Sequence, residues 1–242
     1  MREDGRAAML VMGIETSTMQ GGVALVTEQE LLSAYTLNVR ATHTERLLPL
    51  IDRALHDARI TLNKVEGLAV AVGPGSFTGL RIGLSTAKGL AVASDKPLVG
   101  VPTLEAMAWT LPFCAHPVCP ILDARKGEIY CALFRHEGDR LIRLSEDATL
   151  PLDGLVSRVQ ERTVFLGDGL AAYGGLLKAR LKDLALFPPS THRGGSAAAV
   201  AELGRRRLLQ GQRDEISELA PRYLRPSEAE LKRLSTFIKS GS

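Results

Sequence analysis

The segment Gly73-Pro74-Gly75-Ser76-Phe77-Thr78-Gly79 holds the residue types best suited to chemistry in this 242-residue chain. A short apolar run precedes it and a helical pattern follows, an arrangement in which backbone N–H groups can cradle phosphate. Its spacing nevertheless misses both common nucleotide fingerprints. A Walker loop opening at Gly73 needs glycine in place of Thr78 and lysine in place of Gly79. A dinucleotide loop built on Gly73 and Gly75 also needs glycine at Thr78. Cys114, His116 and Cys119 match no common zinc spacing, and Pro112, Pro117 and Pro120 interrupt them, so buried thiols or an ordinary loop are expected there. Arg205, Arg206 and Arg207 together with the basic tail offer direct tRNA binding, but adjacent residues on a helix point in different directions and no aromatic set accompanies them, so a solvated helix face is expected.

The helix after the loop is unusual. Gly79, Gly83, Ala87 and Ala91 recur every four residues and make a seam almost free of side chains. Interior glycine costs about 1 kcal/mol relative to alanine, so Gly83 and Gly89 together cost about 2 kcal/mol. Two explanations stay open: the seam packs within its own domain, or it admits a helix of another subunit. Leu47, Leu48, Ile51 and Leu55 on the preceding helix would extend such an interface, and burying four such side chains contributes about 6 to 12 kcal/mol before ordering costs. Arg81 and Lys88 exclude a membrane dimerisation motif.

The elements that must hold these residues read as follows. Ala8 to Ile14, Val23 to Val26 and Leu31 to Leu37 are three successive strands, which argues against a simple alternating Rossmann chain. Thr42 and Glu45 stand at capping-box spacing ahead of a helix through Ala58 that contains Pro49. Gly67 to Val72 is a strand, a helix runs from the glycine loop to Ser94, and Leu98 to Val101 is a further strand before a junction at Pro102-Thr103. In the second half, strands are predicted at Val118 to Leu122, Glu128 to Phe134, Leu141 to Leu144 and Val164 to Leu166. A short helix follows Gly167-Asp168-Gly169, and another spans Ser196 to Leu209. The strand-rich start of both halves suggests a duplicated plan. The expected division is 1–102, 103–225 and a charged tail, 226–242.

Composition bounds the rest. Hydrophobic content of 45%, charged content of 24% and a net charge of +3 suit a globular protein and neither demand nor oppose a nucleic-acid partner. Three cysteines without Cys-x-x-Cys spacing make a disulfide framework unexpected. The apolar stretch Met9 to Ile14 is too short to span a membrane, and no secretory signal is read, so a cytoplasmic location is expected.

Ile14-Glu15-Thr16-Ser17-Thr18, His43-Thr44-Glu45-Arg46-Leu47-Leu48-Pro49-Leu50-Ile51 and Gly73 through Gly83 occur in that order and resemble the TsaB (YeaZ) family. Asp123-Ala124-Arg125-Lys126-Gly127-Glu128-Ile129-Tyr130 and Gly167-Asp168-Gly169 extend the resemblance over roughly Val11 to Tyr223. The resemblance implies an α/β fold of two actin-like (ASKHA, ribonuclease-H-like) domains, each a mixed sheet with flanking helices. It implies a non-catalytic partner of the TsaD threonylcarbamoyltransferase, cooperating with the ATPase TsaE and with TsaC in forming threonylcarbamoyladenosine beside the anticodon of tRNA. It further implies a homodimer when the chain is alone, through the surface used for TsaD, and tRNA met through the complex rather than at a membrane.

The partner surface expected from this resemblance comprises Glu45, Leu47, Leu48, Ile51, Leu55, Gly79, Ile82, Gly83, Thr86, Ala87 and Leu90. No catalytic residue, metal or intrinsic cofactor is expected. The catalytic relative carries a His-x-x-x-His pair, whereas here His43 is followed by Leu47 and His56 by Ile60 at that spacing. The alternative is an actin-like ATPase or nucleotide-binding protein using Glu15, Thr16, Ser17, Gly73, Gly75 and Ser76, with room for a weak or shared nucleotide at the subunit junction. Against it, Ser17 stands where such a loop has glycine, and Arg125 and Lys126 crowd the second loop. Glu15 and Asp123 then read more simply as strand-end carboxylates bonded to nearby backbone.

Overall fold

The computed structural model describes residues 9–38 and 43–225. Strands β1 (Val11–Glu15), β2 (Gln20–Val26) and β3 (Leu31–Asn38) form an antiparallel meander. Helix α1 (His43–Asp57), strand β4 (Gly67–Gly73), helix α2 (Phe77–Ser94), strand β5 (Leu98–Pro102) and helix α3 (Thr103–Trp109) follow. β4 and β5 add in parallel to β1, giving the order β3-β2-β1-β4-β5. β1 and β4 are buried along their whole length. They read as unbroken apolar runs because both faces of the sheet are covered.

The second sheet repeats that plan. β6 (Val118–Arg125) and β7 (Glu128–Cys131) are antiparallel, and β8 (Phe134–Glu137) and β9 (Arg140–Arg143) make a hairpin beside the start of β6. β10 (Ala148–Pro151) pairs with β7. After helix α4 (Leu152–Val156), strand β11 (Thr163–Leu166) adds in parallel to β6, and β12 (Ala185–Leu186) follows helix α5 (Leu170–Leu181). The order β10-β7-β6-β11-β12 is a three-strand meander extended by two parallel strands, as in the first sheet. The strand expected over Glu128 to Phe134 is therefore two: Cys131 pairs with Ile121, whereas Phe134 pairs with Val118 at the other end of β6.

The expected junction at Pro102-Thr103 is occupied by α3. Ala106 packs with the first core, while Leu104, Met107 and Ala108 pack with Val118, Leu122 and Phe134 of the second. The boundary drawn at 103–225 also differs from the packing. Helix α6 (Ala197–Leu209) lies across β1, β2, β4 and β5, so it seals the first sheet rather than the second. On the opposite face, Leu47, Ile51, Ala54, Leu84, Ala87 and Ala91 of α1 and α2 cover Met12, Ile14, Leu68 and Val70. The segment after α6 then straps back over the molecule: Asp214 accepts the Gly100 N–H at 2.7 Å, and Arg222 donates its N–H to Val72 at 2.6 Å. Thr42, the expected helix cap, and the tail 226–242 lie outside the described residues.

Candidate functional site

The loop after β1 and the glycine loop before α2 are built against each other. Ser17 O accepts the Ser76 N–H at 2.6 Å, and a Cβ on Gly75 would stand 2.3 Å from Ser17 O. Ser76 caps α2, its Oγ accepting from Gly79 N at 3.2 Å. Thr16 Oγ1 donates to Gly79 O at 2.8 Å, and a Cβ on Gly83 would come within 2.1 Å of that hydroxyl. On the other side, a Cβ on Gly73 would meet Arg222 O at 2.7 Å. The six candidate nucleotide residues are thus brought together. Part of their polar groups are spent on one another, while Ser17, Gly75 and Ser76 also line the open cleft between the two sheets.

Glu15 is 1% exposed. Its Oε1 accepts the Ser17 N–H at 2.5 Å, while Oε2 has no hydrogen-bond partner among the described residues, nor has Ser17 Oγ. Burial pushes the Glu15 carboxyl above the ordinary carboxylate range, opposed by its hydrogen bonds from Ser17 and Thr16. Asp123 of β6 repeats the motif, its Oδ1 accepting the Arg125 N–H at 2.8 Å. Each sheet therefore has a strand-end carboxylate bonded to the N–H two residues on, which is the simpler of the two accounts of Glu15 and Asp123. A cleft of about 430 Å³ separates the two ends, lined by Thr18, Met19, Ser76, Asp123, Lys126 and Asp168 among others.

The small-residue seam has its explanation inside the chain. Gly79, Gly83, Ala87 and Ala91 are all buried, and the missing side chain at Gly83 makes room for Thr16. Leu47 and Ile51 are likewise 3% and 4% exposed, in the first core. Gly79, Gly83, Ala87, Leu47 and Ile51 are accordingly buried within their own fold, which is the first of the two explanations the sequence left open for the seam. What faces outward is the opposite side of the same two helices. Glu45 and Leu48 are exposed on α1, and Leu55 is half-buried; Ile82, Thr86 and Leu90 are half-buried on α2.

Beside them lie Gly89, whose cost the sequence had flagged, and Ser85, Val92 and Ala93, which the sequence reading passed over; all four are exposed. Leu48 is 58% exposed and Val92 70%. A Cβ on Gly89 would meet nothing within 4 Å, so unlike Gly83 this glycine has no packing reason within the chain. The signal was present in sequence: Ile82, Ser85, Gly89 and Ala93 recur at three- and four-residue steps, uncharged throughout.

The arginine run is spoken for internally. Arg205 and Arg206 both pair with Glu202, at 2.9 and 2.7 Å. Arg207 pairs with Asp214 at 3.5 Å and also bonds Gly100 O. These contacts hold α6 and the strap, and they remove the basis for reading the run as a tRNA site. Cys114, Cys119 and Cys131 are free thiols, and burial pushes the Cys119 and Cys131 thiols up.

Comparison with known proteins adds a family. Residues 36–233 match the model of the TsaD family, described as tRNA N6-adenosine threonylcarbamoyltransferase. A Haemophilus influenzae protein named tRNA threonylcarbamoyladenosine biosynthesis protein TsaB is 33% identical over 90% of this chain and 94% of its own length. The Bacillus subtilis protein of the same name is 28% identical over 93% of this chain and 97% of its own. Among solved structures, a Pseudomonas aeruginosa protein described as similar to peptidase YeaZ superposes with a TM-score of 0.75 at 25% identity, over 90% of this chain and all of that one.

Proposed function

The chain belongs to the TsaB family of tRNA threonylcarbamoyladenosine biosynthesis proteins, and on that premise we propose that it is the non-catalytic partner of a TsaD-type threonylcarbamoyltransferase. Its role in the biosynthesis of that modified base follows from the family. The finer reading is a cytoplasmic scaffold that docks its catalytic relative through the outer faces of α1 and α2, with TsaE and TsaC acting in the same process. The two sheets of like strand order are read as two actin-like domains. Neither a metal nor a nucleotide is assigned to this chain alone.

The observation that carries the docking surface is Gly89. An exposed glycine in the middle of an 18-residue helix costs about 1 kcal/mol relative to alanine. It is understandable where another backbone approaches, because a Cβ there would hold the two helices apart. Val92, one turn on, supplies apolar surface beside it, Leu48 is an exposed apolar side chain of α1, and Ser85 and Ala93 keep the α2 stripe low. The histidine spacing agrees with a subunit that lacks its relative's metal pair.

Reconstituting tRNA modification from the catalytic relative, with and without this chain, tests the reading. Modification is expected to require the chain, and Leu48→Glu is expected to abolish both the complex and the modification. Full modification without the chain, or a Leu48→Glu complex as tight as the wild type, refutes it.

A further inference from the structure

We propose that the cleft between the two sheets is the docking site of the chain's own C-terminal segment, residues 226–242, seated there as an amphipathic helix. This site is distinct from the α1/α2 docking surface and does not depend on it. Three features select this occupant, and the first is where the strap delivers the chain. Arg225 is itself part of the cleft lining. Its guanidinium pairs with Glu128 at 2.6 Å and donates to Ala124 O at 3.1 Å, which fixes it to the β6–β7 turn. Two residues earlier, Tyr223 stacks on Phe77, another lining residue, with ring centroids 4.2 Å apart. The residues that follow Arg225 therefore start at the cleft's edge, and little further chain closure is needed to bring them in.

The second feature is the chemistry of the wall. Met19 is 54% exposed, Phe77 is half-buried, and Leu122, Ala124 and Tyr130 continue the lining inward. The charges on this wall balance. Asp123 is matched by Arg125 at 3.3 Å, which leaves Lys126 and Asp168, neither in an ion pair among the described residues. Ser17, only 1% exposed, adds a hydroxyl without a hydrogen-bond partner among the described residues. Apolar surface, one open charge of each sign and one unanswered buried hydroxyl call for a guest that is amphipathic and carries both signs.

The third feature is the sequence after Arg225. Ser227 and Glu230 stand at capping-box spacing, which predicts a helix from Glu228. Leu231, Leu234, Phe237 and Ile238 then recur at steps of three and four residues on one side of it. Glu228 and Glu230 offer carboxylates for Lys126, and Lys232 and Arg233 offer cations for Asp168. Leu231 and Leu234 fall about 9 and 14 Å along such a helix from Arg225, within reach of a cleft whose rim holds that residue.

The test is thiol reactivity at the cleft in the full chain. Thr78 is an exposed lining residue, so Thr78→Cys places a reporter there. Its alkylation by N-ethylmaleimide is followed by peptide mass spectrometry, with and without Leu231→Asp/Leu234→Asp. The intact segment is expected to slow labelling by about tenfold or more, the ratio being set by the fraction of molecules whose cleft is open. The paired aspartates are expected to remove that slowing. Arg140→Cys, exposed on the β8–β9 hairpin beside the other end of β6, is expected to label at one rate in both backgrounds, which separates undocking from unfolding. Equal rates at Thr78→Cys with and without the aspartates overturn the proposal. Slowing that fades on dilution overturns it in favour of a second copy's segment. Slowing that appears only when the catalytic relative is added overturns it in favour of a partner's.

Discussion

Two glycines in α2 are expected to respond in opposite ways to the same substitution. At Gly89 an added methyl meets nothing within 4 Å, so Gly89→Ala keeps the helix and removes the conformational cost of glycine. The isolated chain should gain about 1 kcal/mol, or about 2 to 4 °C in Tm for a protein of this size. At Gly83 the methyl would lie 2.1 Å from Thr16 Oγ1, whose hydroxyl bonds Gly79 O. Gly83→Ala should therefore destabilise the chain, by about 1 to 3 kcal/mol, since Thr16 must move and α2 with it. Association should show the complementary pattern at Gly89. Gly89→Leu, harmless to the free chain, should weaken binding of the catalytic partner by about 1 to 3 kcal/mol, roughly fivefold to more than a hundredfold in Kd. Thermal melts at concentrations where the chain is monomeric, and calorimetric titration with the partner, measure both. A Gly89→Leu chain with normal stability and an unchanged Kd would refute the assignment of this face.

Three further outcomes follow from the same geometry. Gly75→Ala should lower Tm, because its Cβ would collide with Ser17 O at 2.3 Å and part the two loops; an unchanged melting curve would contradict that packing. Burial favours neutral Glu15 in the folded state, so the folded protein binds more protons than the unfolded chain once pH exceeds the ordinary carboxylate range. Stability attributable to this group falls as pH rises through that window, and the penalty is complete above the raised folded pKa. Glu15→Gln should flatten that fall, so that its urea midpoint gains on the wild type toward neutral pH; parallel profiles would show that Glu15 does not report its burial. Asp214→Ala should free the strap from β5, with loss of the Gly100 hydrogen bond and the Arg207 pair costing about 1 to 3 kcal/mol and exposing residues 211–218 to protease.

Much of the first sheet was legible in the sequence because its signals are local. β1 and β4 are continuous apolar runs, and Ser76 with its glycines marks the start of α2. What escaped was long-range. Whether Gly83 faces inward or outward depends on Thr16, 67 positions earlier, and no periodicity within α2 supplies that partner. β10 and β12 are short and half-buried, so their assignment depends on pairing with β7 and β11. α3 is one brief helix whose faces serve two cores, which blurs its apolar pattern. The pairing of Arg205 and Arg206 with Glu202 was within reach of the sequence, at i,i+3 and i,i+4 on one helix, whereas the return of Asp214 to Arg207 depends on the strap's path.

The course of α6 also constrains how this polypeptide is made. Strands β1, β2, β4 and β5 leave the ribosome early, yet Val11, Ala69 and Val99 wait for Val200 and Leu203 to cover them. A nascent chain arrested before residue 197 would present that sheet with one bare apolar side, prone to aggregation or chaperone capture. Completion of this core therefore waits until α6, about a hundred residues after β5, has been synthesised.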